Sequence, residues 1–148
     1  MKRSRVVLAA ALVATGGVLA GCEQPPPAIT VFSGTNSVRA SALCYAFDAP
    51  ALAPGQCARD IISGDSTGDA PSLTVRPGNT VGISVDKAVA KSGWVISVAG
   101  QQLVGEPLTE TYFRFTFPNQ QLPERGFALQ VLGGEDELRG VWAVRLVP

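Results

Sequence analysis

The sequence predicts an all-β fold, an immunoglobulin-like antiparallel β-sandwich of about seven to nine strands, preceded by a helical signal peptide. Three observations predict it. Short apolar runs, several with strict alternation, recur from Ile29 to Val147 and are separated by Gly, Pro, Asn and Asp. After residue 27 no segment sustains a helical period, and the one candidate, from Asp86 to Lys91, is a single turn at most. A span of about 120 residues with that many short strands has the size of an immunoglobulin-like domain.

In chain order, residues 1–21 come first and read as an export signal. Lys2, Arg3 and Arg5 supply a positive start, and residues 6–14 are an unbroken apolar run. The apolar stretch ends at Ala20, short of the ~20 residues that a membrane-spanning helix needs. An Ala/Leu/Val run of this kind favours a helix, expected over roughly residues 5–20. Leu19-Ala20-Gly21-Cys22 then follows at the spacing of a processing site. These four residues resemble the lipobox of bacterial lipoprotein precursors. The resemblance implies that the Cys22 thiol receives a diacylglyceryl group and becomes the mature N-terminus. Two acyl chains hold a protein stably to a bilayer, each buried methylene contributing ~0.8 kcal/mol. The expected localisation is the outer, extracytoplasmic face of the cell membrane, held by lipid and not by a spanning helix.

Residues 22–27 form the lipidated N-terminus and a tether, with Pro25, Pro26 and Pro27 favouring an extended chain. At ~3.1 Å per residue such a tether keeps the domain close to the membrane. Residues 28–148 form the β-domain. Ile29 to Phe32 opens it, and Gly34-Thr35-Asn36-Ser37 has turn chemistry. Val38 to Phe47 is long enough for a second strand, and Leu73 to Arg76 makes a third. Pro77-Gly78-Asn79 is a turn before Thr80 to Val85, where Val81, Ile83 and Val85 share one face. Trp94 to Val98, a short Leu103-Val104, Thr111 to Phe117, Phe127 to Leu132 and Gly140 to Val147 complete the series. The expected core comprises Trp94, Trp142, Phe113, Phe115, Phe117, Val81, Ile83, Leu129 and Val131.

With Cys22 acylated, Cys44 and Cys57 remain, thirteen residues apart on an exported chain. Export places thiols in an oxidising setting, so a disulfide between Cys44 and Cys57 is expected at the base of the irregular stretch 48–71. Thirteen residues cannot carry the inter-sheet bridge of antibody domains. Asp60, Asp65 and Asp69 in that stretch lack the alternate spacing of a calcium loop, and Glu135-Asp136-Glu137 reads as a charged hairpin tip.

Composition narrows the chemistry. The chain has no histidine, which excludes Ser-His-Asp and Cys-His catalysis and imidazole metal sites. No catalytic residue, metal ligand or cofactor is expected. Removing Lys2, Arg3 and Arg5 from twelve basic residues leaves nine against twelve acidic ones, a net charge of −3. Without a basic stripe, nucleic acid is not an expected partner. The lipobox, the short tether, the Cys44/Cys57 pair, the run Ser72-Leu73-Thr74-Val75-Arg76-Pro77-Gly78-Asn79-Thr80-Val81 and Gly93-Trp94 together resemble uncharacterised actinobacterial lipoproteins. That group carries no assigned activity. The expectation is a non-enzymatic binding or assembly module of the cell envelope, its partner an envelope protein or small ligand. The alternative is a carrier or sensor of a small apolar ligand held between the sheets by Phe113, Phe115 and Trp142. The short tether further places the connection carrying Lys87 and Lys91 on the membrane side, and Pro77-Gly78-Asn79 on the far side.

Overall fold

The computed structural model describes residues 24–148; the expected signal helix and Cys22 lie outside the described residues. Among the described residues, ten strands and two short helices follow one another as β1 (Ala28–Ser33), β2 (Asn36–Ser41), β3 (Cys44–Tyr45), α1 (Arg59–Ser63), β4 (Ser72–Thr74), β5 (Thr80–Val85), α2 (Lys87–Lys91), β6 (Trp94–Val98), β7 (Gln101–Gln102), β8 (Tyr112–Thr116), β9 (Phe127–Gly133) and β10 (Gly140–Val147). One sheet has the order β2-β1-β5-β8. The other runs β3-β10-β9-β6-β7, with β4 added parallel to β10. Strands β5 and β8 in one sheet face β6, β9 and β10 in the other, the strand grouping of an immunoglobulin-like sandwich.

Alternation decides which side chains face inward. Val81, Ile83 and Val85 of β5 meet Ile29 and Val31 of β1 on the inner face, and all five are buried. Across the interface stand Trp94 and Ile96 of β6, Leu129 and Val131 of β9, and Trp142, Val144 and Leu146 of β10. Trp142 occupies space that two glycines leave open. Gly133 and Gly140 are register partners, and a methyl added at Gly140 would stand 2.6 Å from the Trp142 ring. Phe117 is buried as expected, but Phe113 and Phe115 are only half-buried, because β8 is the edge of its sheet.

The expected single strand from Val38 to Phe47 is two strands in different sheets. The β1–β2 pairing ends at Ala28↔Ser41, where β1 itself begins, so the chain has nothing further to pair with there. It crosses at Ala42 and Leu43, and Cys44–Tyr45 pairs with Gly140 and Val141 of β10. The apolar residues of this run are continuous because they bridge the two layers. A second correction concerns Leu103-Val104. The strand lies at Gln101–Gln102, paired to β6 through a two-residue turn at Ala99-Gly100, and Leu103 is exposed.

Residues 46–71 wrap the outer face of the second sheet. Cys44, Cys57 and Val141 form a small separate core there, against which Leu43, Leu52, Ile61, Leu132 and Leu138 pack. This explains why β10 is buried on both faces while the strands of the other sheet alternate. The stretch also holds α1, which the sequence does not announce. Its carbonyl at Ile61 accepts a hydrogen bond from the Gln130 side-chain amide, a group only 2% exposed.

Candidate functional site

Antiparallel pairing of β1 with β5 sets Ile29 against Val85 and Ser33 against Val81. The tether, the 41–48 crossing and the connection from Asp86 through α2 therefore share one end of the sandwich. The turns at 34–35 and 77–79 share the other, which is the relative placement expected from the sequence. Three contacts fasten the tether end. The Ala28 N–H donates to Asp86 Oδ2 at 2.8 Å, the Trp142 indole N–H donates to the Pro27 carbonyl at 2.7 Å, and Arg39 stands 3.5 Å from the same Asp86 oxygen. Asp86 holds the N-cap position of α2, yet its carboxylate caps no N–H of that helix and serves β1 instead.

Around these contacts lies a cleft of about 740 Å³ bordered by Pro25, Pro26, Tyr45, Phe47 and Asp86. Phe47 is 50% exposed there and stands edge-on to Tyr45, with ring centroids 5.1 Å apart. The end is not simply basic. Lys87 and Lys91 share it with Asp48, Asp86 and the hairpin tip of Glu135, Asp136 and Glu137, whose Gly134 N–H donates to the Gly93 carbonyl at 2.8 Å.

Cys44 and Cys57 form a disulfide, with Cα atoms 5.5 Å apart. It joins β3 to the start of the segment leading into α1, on the outer face of one sheet and not between sheets. Asp60, Asp65 and Asp69 are not gathered: among the described residues no cluster of three His, Cys, Asp or Glu side chains stands ready for a metal. Trp142 is 1% exposed within the packed core, and neither it nor Phe113 or Phe115 borders any of the clefts described here. Among the described residues no helix is long and apolar enough to cross a membrane.

Sequence reasoning missed a second cleft, of about 680 Å³, at the opposite end. The loop 63–68 after α1 forms one wall, and Ala99-Gly100 and residues 125–128 form the other. Arg125 and Arg145 both border it. The two arginines are twenty positions apart and lie on separate elements, so no spacing rule links them. The available signal is small residues in strand positions, since Ala128 interrupts an otherwise bulky β9.

In comparisons with known proteins, no family model, no curated protein and no solved structure matches this chain.

Proposed function

We infer that this chain is a lipid-anchored, non-enzymatic binding or assembly module on the outer face of a bacterial cell membrane. The observation that carries the reading is the position of the tether. Pro27 and Ala28, only five and six positions after Cys22 of the lipobox, are fixed to the sandwich by hydrogen bonds. A lipid on Cys22 would thus hold one defined end of the domain at the bilayer, with the opposite end presented outward. The residue menu supports a binding role, since histidine is absent from the whole chain. The experiment is metabolic labelling with a fatty acid. The natural chain should incorporate label and run at its processed size, and Cys22→Ser should remain an unlabelled precursor. Label on the Cys22→Ser chain would sink the anchor.

A further inference from the structure

We propose that the cleft between the 63–68 loop and the 125–128 segment binds a hydroxylated oxyanion, the acid group of a sugar acid or of a sugar phosphate. The proposal deepens the reading of this chain as a binding module and does not depend on the lipid.

Charge is the first argument. The mature chain is net acidic, yet this cleft collects two guanidiniums against a single carboxylate, Asp65. Asp65 is already engaged, accepting the Ser63 hydroxyl at 2.7 Å. Neither arginine has a carboxylate partner: among the described residues the ion pair formed is Arg39 with Asp86, at the other end of the domain. Guanidinium groups match carboxylate and phosphate in a two-point geometry, so an unpaired pair in a concave site fits such an acid.

Preorganisation is the second. Arg145 projects from β10, where Ser72 and Ala128 are its register partners, and its Nη2 donates to the Thr67 hydroxyl at 3.0 Å. That bond holds the half-buried side chain against the loop. A guanidinium carries five donors, and among the described residues the Arg145 side chain forms no other hydrogen bond. Arg125, by contrast, is exposed at the rim.

Shape is the third. Arg145, Ala128 and Ala99 lie in one row across the outer face of the sheet, Arg145 pairing with Ala128, whose carbonyl accepts the Ala99 N–H at 2.9 Å. Two methyl groups beside a long side chain leave a recess. Its volume lies within the roughly 300–1,000 Å³ typical of small-molecule sites. The 63–68 wall adds the hydroxyls of Ser63, Ser66 and Thr67, groups suited to the hydroxyls of a sugar and not to an apolar ligand.

The test is a titration of the full chain in detergent, read by the amide resonances of Gly68, Gly100 and Ala128. The probes are glucuronic acid, glucose 1-phosphate, inorganic phosphate and neutral glucose. Saturable shifts are expected with one or both sugar acids, weaker ones with inorganic phosphate and none with glucose; the stronger sugar acid identifies the acid group. Arg125→Glu, a change at an exposed position, should weaken binding about tenfold or more. Arg145→Lys should retain the fold and lose most of the affinity, since an ammonium cannot make the two-point contact. Equal binding of glucose, no saturation at millimolar acid, or affinity unchanged in Arg125→Glu would each overturn the proposal. None of these outcomes touches the anchor, which is read by fatty-acid labelling.

Discussion

The indole N–H of Trp142 donates to the carbonyl of Pro27 across 115 positions of sequence, at 2.7 Å. It ties the last residue of the tether to β10 of the opposite sheet. Trp142→Phe keeps an aromatic ring but leaves this carbonyl without its donor and opens space over Gly133 and Gly140. We expect a loss of ~1–3 kcal/mol in urea unfolding. Hydrogen exchange at Ala28 and Ile29 should rise with it. Unchanged exchange there would show that the tether is held by Asp86 alone.

Reduction should separate two layers of stability. The Cys44–Cys57 bridge closes a short loop, and its loss should cost ~3 kcal/mol in the chain-entropy model. The damage should concentrate in residues 46–71, whose small core around Val141 is distinct from the inter-sheet core. Exchange measured with and without reductant checks this. Equal deprotection of β5 and β6 would show one cooperative unit.

Gly82 has a packing reason of its own. Any Cβ there would overlap the Phe32 ring, which lies across the strand and stacks on Tyr112 at 5.9 Å and 9°. Gly82→Ala should therefore destabilise by ~1–3 kcal/mol through overpacking. Adding Phe32→Ala should recover much of that loss, so the double variant is more stable than the sum of the two singles predicts. Simple additivity in chemical denaturation would refute the contact as the cause.

Such details separate what periodicity reveals from what it hides. Thr80–Val85 and Gly140–Val147 were legible to the residue, because alternation or a long apolar run meets clear turn chemistry at each end. Val38 to Phe47 misled for the opposite reason. A run that changes sheets keeps its apolar character while its partner changes, and only pairing reveals the break. Helix α1 has five residues and no buried one, so it has no stripe to detect. The Cys44–Cys57 bridge was expected on the reading of an exported chain, and the two cysteines are joined. The arginine cleft was not, since it depends on a loop folding back over β9 and β10.

The anchor proposed at Cys22 would fix an orientation. Spin labels on Asn79→Cys and Lys91→Cys of the lipidated chain in vesicles should report position 91 nearer the bilayer, because Val85 pairs with Ile29 and the 77–79 turn lies at the other end. The acidic tip at residues 135–137 shares the tether end, so raising the fraction of anionic lipid should not draw the domain closer. A label at 79 relaxed more strongly by the membrane would reverse the orientation.

Strand β10 has a temporal consequence. It pairs with β3, β4 and β9, and its contact at Gly140 reaches back to Tyr45, yet among the described residues it is the last strand to leave the ribosome. Until it emerges, β3 and β4 have no neighbour in their sheet, and the segment over Val141 has no floor. Pairings this distant in sequence form slowly. The chain should thus stay pliable through most of its synthesis and lock only once β10 is free to pair. Nascent chains arrested before Gly140 should be degraded by protease throughout residues 28–133, and those extended past Val147 should resist.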